Sequence, residues 1–446
     1  MNRILALGAV LLSVGFTVHA QTYTPLYDFS NPGDPSYPGV EFGTLQQTLG
    51  GYIVTTAGDF VTADGGSAFK MSTTGDISVL QHFPGPNGKF PTGSLTVATD
   101  GNFYGTNNYG GQFNYGNIFR LSSSGKLTIL HSFTGGTDGG SPESAPIESE
   151  GGDLYGTTTG GTGCRGTVYR ITKSGQFKTL HCFAGQEGVR PSAPLIQGTD
   201  LYFYGTTYRG GPHGLGSVYR INSNGDFKIM FGFNNTNGAH PYAGLVQGND
   251  GNFYGVTTQG GTMGGGVVFK MTPGRVVTVL HNFTGGNDGS NPIATLIEGV
   301  DGNFYGTTAD TGVLFNITPS GNFMTLHSLN LVSTCALLQH TNGLLYGVTE
   351  IGGRRNAGIF YSFNMGLAPF VTYLRVYGRV GTTVQILGQG FTSGSVARFN
   401  GRAAQTTVVN SKYLRAVVPA GATTGYITVT TGNVSLKSNK VFIVRP

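Results

Sequence analysis

Runs of about five to seven β-branched, aliphatic and aromatic residues recur from Tyr23 to Ser362, each closed by Gly, Asn, Asp or Ser. The runs are too short for helices and carry no 3.6-residue period, so they predict short strands. They fall into four kinds that return in fixed order. The plainest is Asn102-Phe103-Tyr104-Gly105-Thr106. It recurs at Asp153 to Thr157, Tyr202 to Thr206, Asn252 to Val256, Asn303 to Thr307 and Leu344 to Val348, with a degenerate copy at Gly51 to Thr55. A second kind is Thr167-Val168-Tyr169-Arg170-Ile171, and a third is Leu180-His181-Cys182-Phe183. The fourth is led by proline, as in Pro142 to Glu148, Pro191 to Gln197, Pro241 to Gln247 and Pro292 to Glu298.

Turn chemistry joins the runs. Asp100-Gly101, Asp250-Gly251 and Asp301-Gly302 predict hairpins between first and second strands, and Ser174-Gly175, Asn224-Gly225 and Ser320-Gly321 predict them between third and fourth. Four short antiparallel strands per roughly fifty residues is the period of a propeller blade. The phase of the repeat predicts how the ring closes. The chain enters on a fourth-strand segment, Tyr23 to Phe29, and leaves the repeat on a third strand, Gly358 to Ser362. The first residues therefore complete the last blade, giving an all-β, seven-bladed β-propeller over residues 21–366 and leaving no open edge.

Three motifs carry a family resemblance: the Tyr-Gly-Thr-Thr strand, the Gly163 to Thr172 stretch and the Leu-His-x-Phe strand. Together they resemble the GloVer (Gloeobacter/Verrucomicrobia) extracellular tandem repeat over roughly residues 23–365. That resemblance implies an exported protein with no established chemistry. Residues 369–446 differ in pattern. Gly381 to Gly388, Val396 to Gly401, Val417 to Ala422 and Gly425 to Thr430 are similar to IPT/TIG domains, which are Ig-like β-sandwiches. Alternating strands with frequent turn signals point to a sandwich independently.

Composition refines this picture. The 446 residues include 76 glycines, only 11% charged residues and 11% aromatics, all Phe and Tyr. A chain so aromatic and so weakly charged can bury enough apolar surface to order itself. The net charge of +5 is scattered, with no basic stripe, so nucleic acid is not an expected partner. Residues 1–20 read as a signal peptide. Arg3 supplies the positive end, Ile4 to Val18 the apolar stretch, and Val18-His19-Ala20 the cleavage site. A secreted or periplasmic protein is expected, with no membrane span after cleavage. Of the three cysteines, Cys164 and Cys182 flank one hairpin at nearly opposite positions and are the expected disulfide. Cys335 lies in an apolar run and reads as a buried thiol.

Candidate chemistry is sparse. His131, His181, His281 and His327 share one repeat position on the outermost strand. They would sit on separate blades, too far apart to share a metal, so packing and hydrogen bonding between blades is expected. Each Asp of the Asp-Gly turns stands alone, which suits a turn residue rather than a calcium ligand. No nucleophile triad or zinc spacing is present, so no catalytic residue, metal or cofactor is assigned. The loops entering the first strand and leaving the second share one face. They carry Arg165, Arg190, Arg209, His213, His240, Arg354 and Arg355, with Tyr109, Tyr115, Tyr208 and Tyr242. Arginines beside aromatics suit a sugar or an acidic polymer. The expectation is a non-catalytic binding or scaffold protein recognising a glycan or extracellular ligand. A carbohydrate-active lyase or hydrolase is the alternative.

Overall fold

A computed structural model describes residues 21–29, 44–58, 65–91, 93–331 and 336–446. The expected signal peptide and Cys335 lie outside these residues. Among them, the repeat region forms seven four-stranded antiparallel sheets. The first six sheets each take four consecutive strands; in the third these are Ile147–Glu148, Leu154–Thr158, Thr167–Ile171 and Phe177–Cys182. The seventh takes Leu338–Gln339, Leu345–Val348 and Ile359–Asn364, and its fourth strand is Thr22–Asp28, in the register Tyr23 with Phe363.

The Tyr-Gly motif has a packing cause. The Tyr of the second strand is buried against the next sheet, and the aromatic of the third strand lies across the Gly. A Cβ on Gly105 would stand 2.5 Å from the Phe119 ring, and one on Gly306 2.6 Å from the Phe315 ring. Only glycine admits the ring at that distance.

Each sheet shares an apolar core with the next. Phe103 and Phe119 of the second sheet pack with Val54 and Phe83 of the first. Leu154 and Tyr169 of the third pack with Tyr104 and Phe133 of the second. The series continues through the sixth and seventh sheets, where Leu314 meets Leu345 and Tyr361. It returns to its start where Tyr346 and Phe360 of the seventh sheet pack with Ile53 and Phe69 of the first.

Polar bonds run beside these cores. The last residue of a first strand accepts a hydrogen bond from the backbone of the preceding sheet: Glu148 from Thr99 (2.7 Å), Gln197 from Glu150 (2.8 Å), Gln247 from Thr199 (3.0 Å) and Glu298 from Asn249 (3.0 Å). Gln339 accepts from Val300 (2.9 Å), and Gln47 from Thr341 (3.1 Å), which joins the last sheet to the first. A buried N–H left unmet is costly, so each bond holds the spacing of two sheets.

The C-terminal region forms a four-stranded and a five-stranded sheet, a sandwich-like pair about one core of Val384, Ile386, Phe399, Leu414, Ile427 and Phe442. Tyr377–Arg379 joins the five-stranded sheet by parallel pairing with Val434–Arg445. This region sits on the turns between first and second strands. Gln385 donates to Thr99 O (3.0 Å), Arg445 to Thr199 O (2.9 Å), and Asn249 to Asn439 O (2.9 Å). Those turns lie at the opposite end of the second strands from the loops named as a candidate binding face.

Candidate functional site

The loop face is built on a repeated backbone device. The residue before each leading proline is left-handed without being glycine: Phe90 (φ 54°), Ser141 (φ 51°), Arg190 (φ 56°), His240 (φ 55°) and Asn291 (φ 56°). Such a conformation costs on the order of 1 kcal/mol and persists only where the surroundings fix it. Here two hydrogen bonds fix it. Arg190 N–H donates to Arg165 O of the preceding sheet (3.0 Å), and Arg190 O accepts from Tyr208 N–H of its own sheet (3.1 Å). His240 repeats the pattern with Leu215 O (2.8 Å) and Thr258 N–H (3.2 Å). The result is a rigid frame with different side chains mounted at equivalent points.

At Arg190 and His240 those side chains converge. Glu143 and Tyr242 occupy the same repeat position two sheets apart, yet the Tyr242 hydroxyl donates to Glu143 Oε2 (3.1 Å). Arg190 Nη2 lies 3.2 Å from Glu143 Oε1 and 3.5 Å from the Tyr242 hydroxyl. Thr159 donates to Glu143 Oε1 as well (3.3 Å). The Glu143 carboxylate is thus occupied by three protein donors and fixes Arg190 and Tyr242 in place. Tyr208 stands beside them, with the Arg190 guanidinium 5.6 Å and the Arg209 guanidinium 5.3 Å from its ring centre. Its ring packs on His240 at 5.0 Å and on Tyr242 at 5.4 Å, and His240 Nδ1 lies 3.0 Å from Tyr208 O. Arg190 keeps 44% of its side chain exposed.

Of the residues singled out from sequence, the structure brings Arg165, Arg190, Arg209, Tyr208, Tyr242 and His240 into one patch, Arg165 through its backbone bond to Arg190. His213 lies exposed in the loop that ends at Leu215, whose carbonyl bonds His240. Four others make their contacts elsewhere on the face or lie on another sheet. Tyr109 packs edge-on against Phe90 (5.7 Å) in the second sheet. Arg354 lies on the seventh sheet, where its backbone N–H meets Asp28 Oδ2 (2.9 Å), and Arg355 follows it there. Tyr115 packs against Gly135 and Gly140. Glu143 was not foreseen. Its signal was its place directly after the leading proline, the position that Tyr242 fills two repeats later.

The other candidates resolve into structure. His131, His181 and His281 stack on Phe177, Phe227 and Phe323 of the next sheet at 3.9, 4.0 and 3.8 Å. Each also meets a carboxylate, Asp138, Glu187 or Asp288, at 3.0–3.1 Å. Burial holds all three below the ordinary histidine range, and the carboxylates offset part of that. His327 stacks on Tyr23 at 5.0 Å. The turn aspartates accept from their own strand: Asp100 from Tyr104 (2.8 Å), Asp250 from Tyr254 (2.7 Å) and Asp301 from Tyr305 (2.8 Å). Among the described residues no three His, Cys, Asp or Glu side chains are grouped to hold a metal ion. Cys164 and Cys182 are disulfide-bonded, with Cα atoms 5.3 Å apart. The bridge ties the loop carrying Arg165 to the end of the strand Phe177–Cys182.

A family model described as the Gloeobacter/Verrucomicrobia repeat matches residues 13–164, 136–312 and 246–408. No curated protein sequence matches the chain. Among solved structures, a streptogramin B lyase is similar at 17% identity and a TM-score of 0.55, over 77% of this chain and 97% of its own. Virginiamycin B lyase from Staphylococcus aureus is similar at 15% identity and a TM-score of 0.53, over 77% and 99%. A catalytically inactive form of that lyase with quinupristin gives 16% and 0.54, over 77% and 98%. At such identities the likeness is one of fold, and it makes the repeat region β-propeller-like.

Proposed function

The chain belongs to the Gloeobacter/Verrucomicrobia repeat family, and on that premise we propose that it is an exported binding protein whose loop face recognises an acidic glycan. The repeat region is read as a seven-bladed β-propeller over residues 21–366, supported by the cores shared between successive sheets and between the seventh and first. Residues 1–20 are read as the signal peptide and 369–446 as an Ig-like domain of the IPT/TIG kind. The observation that carries the binding reading is the placement of Tyr208 beside both the Arg190 and Arg209 guanidiniums. An aromatic face offers a sugar ring an apolar surface, and flanking guanidiniums pair with its carboxylates or sulfates. Glu143 serves as the anchor that orients Arg190, since its oxygens are engaged by Arg190, Tyr242 and Thr159.

One arrangement favours a second reading. A carboxylate, a phenol and a guanidinium within hydrogen-bond reach, with His240 adjacent, could serve a carbohydrate-active enzyme that removes or adds a proton. The mature protein, its Y208A and R209Q variants and an E143Q variant, applied to an array of acidic and neutral glycans, separate the readings. Binding of acidic glycans that Y208A and R209Q abolish, with no release of unsaturated or reducing products, supports the binding protein. Product release that E143Q stops would replace it with the enzyme. Binding unaffected by Y208A and R209Q would place recognition off this face.

A further inference from the structure

A cavity lies away from the loop face, in the seam between the third and fourth sheets and the C-terminal region. Its volume is about 760 Å³, against about 410 and 280 Å³ for two others along the same seam. That is within the usual range for a small-molecule site. Four arginines line it: Arg170 from the third sheet, and Arg375, Arg379 and Arg445 from the C-terminal region. Only Glu150 and Asp153 oppose them among the lining side chains.

The existing partners do not exhaust these groups. Arg170 is tied to Asp153, its Nε 2.7 Å from Oδ2. Arg445 reaches Thr199 O with one nitrogen, while its Nε stands 3.7 Å from Glu150 Oε2, too far for a hydrogen bond. Arg375 reaches Glu150 O only at 3.5 Å. The Nε of Arg375 and the Nε of Arg445 are buried and donate to no acceptor. Glu150 Oε2 beside them is buried and accepts from no donor, so donors and acceptor alike stand unmatched at this cavity, and a ligand carrying both kinds of group would match them. Arg379 is exposed at the rim and forms no ion pair among the described residues. The remaining wall combines hydroxyl and amide groups, Ser149, Ser223 and Gln197, with Tyr377, whose hydroxyl lies 3.4 Å from Gln197 O.

We propose that this seam cavity is a second ligand site that takes a short carboxylated saccharide, its carboxylate held by Arg375 and Arg379 and its hydroxyls by Gln197 and the serines. The site exists only while the two regions are docked, because its arginines come from both. A ligand there bridges them and stabilises the docked form by mass action.

Isothermal titration of the whole mature protein with digalacturonate at low salt, and with cellobiose as the neutral probe, tests this. Digalacturonate should bind and cellobiose should not, and the paired change R375Q/R379Q should weaken the acidic ligand by about tenfold or more. R209Q acts on the proposed loop-face site, so it should leave one digalacturonate binding event of unchanged affinity, the event that R375Q/R379Q weakens, which separates the two sites. The single variant R379Q, at an exposed position, should weaken binding while leaving the melting temperature of the free protein unchanged. No binding of digalacturonate, equal binding of cellobiose, or wild-type affinity in R375Q/R379Q would each overturn the proposal. Loss of every digalacturonate binding event in R209Q, with all of them retained in R379Q, would do so as well.

Discussion

The Lys440 ammonium lies 3.9 Å from Glu298 Oε2, linking the last strand of the C-terminal region to the first strand of the sixth sheet. Burial lowers the Lys440 pKa, and it raises that of Glu298. Desolvation therefore outweighs attraction for both partners, the usual fate of an ion pair drawn into a low-dielectric seam. Lys440 also donates to Gln247 O (3.2 Å), and Glu298 Oε1 holds Asn249 N–H, so each charge is placed by a second bond. K440M leaves Glu298 Oε2 buried without its cation and should cost about 1–3 kcal/mol. Adding E298Q should recover part of that loss. A double-mutant cycle from denaturant unfolding measures it; equal additive losses would mean the pair is not coupled.

The Gln and Glu side chains at the ends of the first strands predict a graded series. Q197L and Q247L each strand one backbone N–H between sheets and should each cost about 1–3 kcal/mol. Q47L should cost more, because Gln47 is buried and both accepts from Thr341 N–H and donates to Thr341 Oγ1 (2.9 Å) across the junction of the last sheet with the first, whereas the matching donation from Gln247 to Thr199 Oγ1 is exposed and longer (3.4 Å). Urea unfolding of the three variants ranks them. A Q47L protein as stable as the wild type would show that this junction does not depend on the side chain.

Much of this was legible because each repeat writes its pattern again. The Tyr-Gly strand, the Asp-Gly turn and the outer-strand histidine each return several times, so their shared structural role outweighs any single functional reading. The N-terminal strand was legible from the phase of the repeat alone. The candidate site was only half legible. Arg190, Tyr208 and His240 were visible as residues of one loop face, but the bond from Tyr242 to Glu143 joins sheets that are not neighbours in sequence. The seam cavity was not legible at all. Nothing in the pattern of residues 369–446 says that Arg375 and Arg445 face Glu150 rather than solvent.

The Cys164–Cys182 bridge closes a sequence separation of 18 residues. A loop of that size corresponds to about 3 kcal/mol in the chain-entropy account of disulfide stabilisation. Alkylating the unfolded mature protein without reductant should add one label per chain, at Cys335, and three after reduction. Three labels before reduction would mean that both thiols are free. C164S/C182S should lower the melting temperature and loosen the loop bearing Arg165.

His340 predicts a pH dependence of its own. It is 1% exposed in the turn of the seventh sheet, and burial lowers its pKa to about 4. Its Nε2 lies 3.1 Å from Gly51 O and so carries the proton, while Nδ1 accepts from Asn342 N–H (3.3 Å), an arrangement that only the neutral ring can make. Lys412 of the C-terminal region adds a like charge that disfavours protonation further. The unfolded chain takes up this proton near pH 6.5 and the folded chain near pH 4, so the folded state binds fewer protons between them. Its contribution is complete above about pH 6.5 and is lost as pH falls towards 4, by about 3 kcal/mol at 1.36 kcal/mol per pKa unit. His131, His181 and His281 shift the same way and add to the slope. Denaturant unfolding at pH 7 and pH 4.5 should show the wild type markedly weaker at the lower pH. H340N keeps a side chain that can donate to Gly51 O but cannot take up a proton, so it should flatten part of that slope. An unchanged slope in H340N would assign the acid sensitivity to the outer-strand histidines instead.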